Sequence, residues 1–345
     1  MNSWLNDMIQ ADVDLQQYNT LAIAARAAHF ARVESRDQLL EVVAFARSRG
    51  LPVLPLGGGS NIVLTEDFPG LVVHLDIRHL ELDEQEGAVE VVAGAGENWH
   101  QLVMATVERG YGGLENLALI PGRIGAAPIQ NIGAYGVELR DTFHSLEALH
   151  VATGEMHTFS ASECEFGYRD SVFKGRARDQ YIITEVRLRL PEDWYPRVDY
   201  PALQQYLRDH QVDSSGLTPR DVADAVIAVR QSKLPDPQTI PNAGSFFKNP
   251  VVSPELYQKL KRHHPDLVAY EVGSRWKLAA GWLIDRAGWR GRMHGPVGVH
   301  ERQALVLVNP GRGSGAEVTG LAREIADDIR ARFGVELEPE PRFYP

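Results

Sequence analysis

The chain has 345 residues, of which 44% are hydrophobic and 23% charged, with a formal net charge of −11 and a single cysteine, Cys164. That length allows two or three domains with cores of their own, and the negative charge argues against general nucleic-acid binding, which needs a broad basic face. One thiol excludes an internal disulfide and the paired-thiol zinc and redox motifs.

The opening "MNSWLNDMIQADVD" lacks the basic and long apolar regions of a secretory signal, and no later apolar run approaches membrane-spanning length, so a cytoplasmic protein is expected. "ESRDQLLEVVAFARSRG" predicts a helix: Ser35 stands three residues before Gln38, apolar residues recur at helical spacing, and Gly50 stops it. "LPVLPL" reads as a strand, followed by a glycine loop, "GGGSN", then by "NIVL" and "LVVHLDI" as further strands. On its own residues the loop is either a plain hairpin turn or a phosphate-binding turn. No helix opens after Gly59, so the dinucleotide fold, whose pyrophosphate sits on a helix N-terminus, is not expected.

"AVEVVAGAG" predicts a strand, "ENWHQLVMATVERG" a helix ended by Gly110, and Thr153-Gly154 a hairpin. "QYIITEVRLRLP" predicts a strand closed by Pro191. From about residue 217 a second α+β unit begins: "LTPRDVADAVIAVRQSKLPDPQ", "VSPELYQKLKRHH" and "SGAEVTGLAREIADDIRARFG" all read as capped helices, with "ALVLVNP" a strand before the last.

Residues 114 to 139, "LENLALIPGRIGAAPIQNIGAYGVEL", are rich in glycine yet apolar between the glycines. Such backbone is expected to be buried and irregular, and its polar groups need partners that a large planar cofactor could supply; an ordinary long buried loop is the other reading.

Together, "PLGGGSN", "IPGRIGAAPIQNIGAYGVEL", "FGYRDSVFK" and "NAGSFFKNP" resemble the bacterial UDP-N-acetylenolpyruvoylglucosamine reductases of peptidoglycan synthesis, over nearly the whole chain. "GYRDS" and "PRVDYPAL" look like the longer, type I form. The resemblance implies an α+β protein with the FAD-binding fold of the vanillyl-alcohol-oxidase/PCMH type, built of two α+β subdomains, plus a C-terminal α+β substrate-binding domain. The implied boundaries are 1–78, completed by 334–345, then 79–216, then 217–333. It further implies non-covalent FAD, NADPH as co-substrate, small-molecule substrates only, no metal, and a monomer.

In that family the enolpyruvyl ether of UDP-N-acetylglucosamine is reduced to a D-lactyl ether, so charge grows on the substrate carboxylate while a carbon awaits a proton. By resemblance Ser245 is the proton donor, with Lys248 a nearby candidate to stabilise its alkoxide, and Arg169 pairs with the carboxylate, which its forked donors suit. Glu340 matches the acid on the enolate. To donate a hydrogen bond there it must be protonated, which requires burial to lift its pKa above the ~4.3 of a free glutamate.

The resemblance assigns Pro55, Gly57, Gly58, Gly59, Ser60 and Asn61 to the FAD pyrophosphate, as an anion nest outside any Rossmann helix. The ring would lie against Pro121, Gly122, Ile124, Gly125, Ala126, Ala127, Gln130, Asn131, Gly133, Ala134, Tyr135 and Gly136. Tyr168 would orient Arg169, Tyr200 would cover the UDP-sugar, and Arg230, Lys233, Asn249 and Gln303 would bind substrate.

Two positions depart from the pattern. Arg123 is bulky within the flavin stretch and either reaches a phosphate or points to solvent; Pro341 removes a backbone donor beside Glu340. A covalent-flavin oxidase and a non-catalytic flavin or nucleotide-sugar sensor are the rival readings. "NAGSFFKNP" and "LEPE" speak against the first, and the matching Ser, Arg and Glu against the second.

Overall fold

The computed structural model describes residues 8–345. Residues 1–7, which begin both the stretch read above for a signal and the expected first subdomain, lie outside the described residues. Two compact units emerge: the described part of Met1–Val13 with Ala27–Gly58 and Pro69–Ser232, and Asp14–Arg26 with Gly59–Phe68 and Lys233–Pro345.

The first unit carries a four-stranded sheet in the order Gln10–Asp14, Arg26–Val33, Phe68–Leu75, Val53–Leu56. Helix α1, Arg36–Arg49, begins as the sequence predicts, with the Ser35 hydroxyl accepting from the Gln38 N–H, and ends at Gly50 in the left-handed region. It buries Leu39, Val42, Val43 and Ala46, whose larger members each contribute about 1.5–3 kcal/mol by leaving water. A five-stranded antiparallel sheet runs Met156–Ser160, Phe143–His150, Tyr181–Pro191, Ala88–Gly94, Leu80–Gln85. Against it pack α2 (Trp99–Val107), α3 (Pro201–Asp209) and α4 (Pro219–Lys233), around a core that includes Trp99, Leu146, Val186 and Val226. The hairpin turn falls at Gly154 as expected. Helix α3 is not predicted from the sequence, although Leu203, Tyr206 and Leu207 fall at helical spacing behind Pro201.

The second unit holds a four-stranded antiparallel sheet, Asn242–Ser245, Val306–Val308, Val297–Val299, Met293–His294. A three-stranded sheet and helices α5 (Pro254–His263), α6 (Ala280–Arg286) and α7 (Gly315–Phe333) complete it. Ser253 caps α5, and Ser314 and Glu317 form a reciprocal capping box on α7, both legible as sequence signals.

The strands flanking the first glycine loop decide its nature. Val53–Leu56 pairs in parallel with Leu71–His74, whereas Ile62–Leu64 pairs in parallel with Arg342–Tyr344 in another sheet. The loop is therefore a crossover between sheets, not a hairpin, and no helix follows it. Among the described residues no helix is long and apolar enough to cross a membrane.

Candidate active site

In the second unit, the stretch from 242 to 248 is built by its asparagine and glycine. The buried Asn242 side chain donates to the carbonyls of Pro235 and Ile240 and accepts from the Gly244 N–H, while Gly244 takes φ +69°. This Asx turn, reported by the register shift between Asn242 and Ser245, brings Ser245 to the strand end with its side chain exposed.

Backbone bonds then join this strand to residues far along the chain. The Phe246 N–H donates to Leu305, and the Glu340 N–H donates to the Phe246 carbonyl at 2.9 Å. Ser245 and Glu340 are thereby held on adjoining backbones. Pro341 costs nothing here: the bonds on either side come from the N–H groups of Glu340 and Arg342, the latter to the Asn61 carbonyl. Lys248 is ion-paired to Glu338. Asn249 and Gln303 each reach the start of α6, where the Asn249 Oδ1 accepts from the Ala280 N–H at 3.0 Å and the Gln303 Oε1 lies where a Cβ on Gly281 would stand 3.3 Å away. Lys233 is exposed at the end of α4.

In the first unit, Tyr168 and Arg169 occupy the tip of a tight turn closed by reciprocal Gly167 and Asp170 backbone bonds. Arg169 has φ +53°, a region costly for a residue with a Cβ. Its conformation is over-determined. The guanidinium donates to the Gly133 carbonyl, Lys174 donates to the Arg169 carbonyl, and the Asn131 amide donates to Gly167 at 2.9 Å. The Arg169 guanidinium stands 5.3 Å from the Tyr168 ring centre. Left-handed non-glycine residues recur nearby at Leu119, Asn131 and Tyr135.

Arg230, on α4, has a buried Nε with no hydrogen-bond partner among the described residues. Burial pushes its pKa down, the Tyr135 phenol offsets this, and the Arg169 charge adds to it. A buried cation so placed suits an anionic or acceptor-rich ligand. Burial also raises the Tyr135 pKa, keeping the phenol neutral, and Tyr135 meets Tyr200 edge-on at 5.2 Å between ring centres. Tyr200 is exposed, as a covering side chain would be.

The glycine stretches serve the fold as well as any ligand. A Cβ on Gly58 would stand 3.1 Å from the Gly122 Cα, and one on Gly59, at φ +58°, only 2.0 Å from the Tyr18 carbonyl oxygen. Among the described residues nothing accepts the N–H groups of Gly58 or Gly59, so this loop keeps donors to offer. Between 121 and 136, Ile124, Ala127 and Ile132 turn into the core, and Gly125 is pressed on Ala95. Pro121, Ala126 and Gly136 are exposed, and Gln130, Gly133, Ala134 and Tyr135 partly so; a Cβ on Gly136 would meet nothing within 4 Å. Free backbone donors at Gly58 and Gly59 and the open face of Gly136 fit a phosphate-bearing cofactor with a planar ring.

Arg123 does not point to solvent. It binds the Asp76 carboxylate at 3.1 Å and the Gly96 carbonyl. Asp76 escaped the sequence reading, although a carboxylate closing the apolar strand "LVVHL" was a signal that it has partners.

Two family profiles match the chain: "FAD binding domain" over residues 27–160 and "UDP-N-acetylenolpyruvoylglucosamine reductase, C-terminal domain" over 236–344. The chain is 52% identical over 332 residues to the UDP-N-acetylenolpyruvoylglucosamine reductase of Burkholderia pseudomallei (strain 1710b), covering 96% of this chain and 95% of that protein. It is 52% identical over 333 residues to that of Paraburkholderia xenovorans (strain LB400), covering 96% of each. Among solved structures, the UDP-N-acetylenolpyruvylglucosamine reductase of Thermus caldophilus is similar over 98% of this chain and 99% of its own, with a TM-score of 0.67 at 26% identity. A solvent-stable cholesterol oxidase, at 13% identity and a TM-score of 0.52 over 99% of this chain and 88% of its own, shares the fold alone.

Proposed function

Because the chain belongs to the UDP-N-acetylenolpyruvoylglucosamine reductase family, and is thereby an FAD-dependent oxidoreductase of peptidoglycan synthesis, we propose that it reduces UDP-N-acetylenolpyruvoylglucosamine to UDP-N-acetylmuramate at the expense of NADPH. The chemistry that FAD supplies when bound is hydride transfer from NADPH to the enolpyruvyl methylene carbon. The chain's residues manage the charge and the proton. Arg169 pairs with the substrate carboxylate, where negative charge grows, and its forced backbone leaves the guanidinium preorganised. The Ser245 hydroxyl gives its proton to the carbon beside the methylene, and Glu340, protonated, donates a hydrogen bond to the same growing charge.

The phosphate cradle is the loop from Pro55 to Asn61, and the exposed parts of 121–136 line the ring. Tyr200 covers the UDP-sugar; Tyr168 orients Arg169; Arg230 and Lys233 take phosphate charge; Asn249 and Gln303 contact the nucleotide. We further propose a cytoplasmic monomer divided as 1–78 with 334–345, 79–216 and 217–333, which sedimentation and limited proteolysis test.

The observation that supports this most directly is the Glu340 N–H bond to the Phe246 carbonyl, which holds a hydroxyl and a carboxyl, remote in sequence, on adjoining backbones. NADPH oxidation by the purified yellow protein is expected to depend on the enolpyruvyl sugar. Oxidation indifferent to the sugar would overturn the proposal. Ser245→Ala is expected to leave flavin reduction by NADPH nearly intact and to slow sugar reduction by about 100-fold or more. Equal slowing of the two half-reactions would make Ser245 structural.

A further inference from the structure

Asp76 is almost wholly buried and receives three arginines. Arg78 donates to its Oδ1 at 2.6 Å, Arg123 to the same oxygen at 3.1 Å, and Arg32 to its Oδ2 at 2.9 Å through Nε and again through a terminal nitrogen. Even counting Glu34, 3.1 Å from Arg32, three positive charges meet two carboxylates. Burial alone would raise the Asp76 pKa, but the hydrogen bonds from Arg78 and Arg32 and the charge of Arg123 hold it below the usual carboxylate value. Arg32 and Arg78 keep more than half of their side-chain surface in solvent, whereas Arg123 is largely covered.

What Arg123 covers gives the cluster its meaning. Its Cβ and Cγ lie where a Cβ on Gly57 would meet them at 3.2 Å, and the neighbouring Gly122 backbone lies equally close over Gly58. The same guanidinium binds the Gly96 carbonyl, and Gly96 in turn lies so close to the Asp76 backbone that a Cβ there would stand 2.5 Å from it. Arg123 thus spans from the first glycine loop, across its own glycine-rich stretch, to the Asp76 anchor.

We propose that Asp76 and Arg123 form a strut that fixes the Gly57–Gly58 backbone against Gly122 and so presets the FAD-binding loop; both are positioning residues, not phosphate ligands. The inference rests on the reading that this loop holds the FAD phosphates. It predicts a sign that a charge effect would reverse. If Asp76 only tempered the arginines, removing its charge would tighten binding of an anionic cofactor; as a strut, its loss loosens it.

The test is the FAD dissociation constant, read from the flavin fluorescence released on serial dilution of the holoenzyme. Asp76→Asn is expected to weaken FAD binding, and Arg123→Lys, which keeps the charge but ends a bond short of the single terminal nitrogen that donates to both Asp76 and Gly96, to weaken it about tenfold, or about 1.4 kcal/mol. Tighter binding in Asp76→Asn, or unchanged binding in Arg123→Lys, would overturn the strut. Should Asp76→Asn fail to fold, Arg123→Lys decides alone, because Arg32 and Arg78 still satisfy Asp76. Gly58→Ala, pressed against Gly122, tests the premise separately: unchanged FAD affinity there would remove the loop reading, whereas weakened affinity there with an unaffected Arg123→Lys would remove only the strut.

Discussion

The two units hold the side chains proposed for function by different means. In the first, Arg169, Tyr135 and Arg230 come from irregular backbone and a helix end, and particular side chains, Asn131, Lys174 and Asn116, pin the carbonyls around them. In the second, Ser245 and Glu340 come from backbones joined mainly by main-chain bonds, with Asn242 bracing the Ser245 turn and the Asn61 amide donating weakly to the Glu340 carbonyl. Main-chain bonds are indifferent to which side chains stand nearby, whereas a side-chain pin is lost with one substitution. Arginine recognition in the first unit should therefore be the fragile half of the machinery, and the hydroxyl–carboxyl pair the robust half.

The sharpest way to break this contrast is Asn131→Ala. Asn131 is fully buried at φ +45°, donates to Gly167 and Glu138, and accepts from the Arg140 N–H. Losing three hydrogen bonds, and placing alanine in the left-handed region, is expected to cost about 2–4 kcal/mol in denaturant unfolding and to weaken sugar binding through Arg169. A loss below 1 kcal/mol, on the scale of a single hydrogen bond, would show that the pins are dispensable.

An intermediate effect is expected from acid. Burial holds His74 and His100 in the first unit, and His300 in the second, below their ordinary pKa, and the His100 Nδ1 accepts the Leu119 N–H, a bond that requires it unprotonated. These histidines take up protons on unfolding below about pH 6.5 while the fold resists them, so their stabilisation is full above that pH and falls as pH drops toward the folded values. Asp76 adds loss only below about pH 4, as pH falls through its lowered folded pKa. Denaturant midpoints at pH 5 are expected below those at pH 7.5; equal midpoints would contradict the assignment.

The smallest expected effect is in the second unit. Lys248→Met breaks the pair with the mostly exposed Glu338 but leaves the Lys248 N–H bonded to the Glu338 carbonyl. Stability is expected to change by no more than about 1 kcal/mol, with sugar reduction retained. A collapse of sugar reduction in this variant would place Lys248 in the proton machinery and break the contrast from its robust side.

Much of the local structure was legible. Ser35, Ser253 and Ser314 announced helices because capping is decided within one turn, and the loop after "LPVLPL" was readable as strand-to-strand because no helical pattern follows Gly59. What escaped had long-range causes. Asp76 and Arg123 are remote in sequence, so neither could reveal the other; read alone, Arg123 offered phosphate or solvent, and its partner is a buried carboxylate. The pairing of Lys248 with Glu338, from the far end of the chain, is likewise invisible in the sequence around Ser245. The glycines of 121–136 suggested room for a ring, yet Gly125 exists for Ala95 and Gly133 for the Arg169 guanidinium.

By itself the sequence determined the kinds of residue available, their caps and turns, and the family to which four motifs belong, since all of these depend on spacing within a few residues. The tertiary structure alone decided which glycines yield to the protein's own backbone, that Arg123 meets Asp76, and that the Glu340 backbone adjoins the strand of Ser245. Those outcomes turn on close approaches between segments far apart in the chain, where a contact of 3 Å is set by packing and not by local preference.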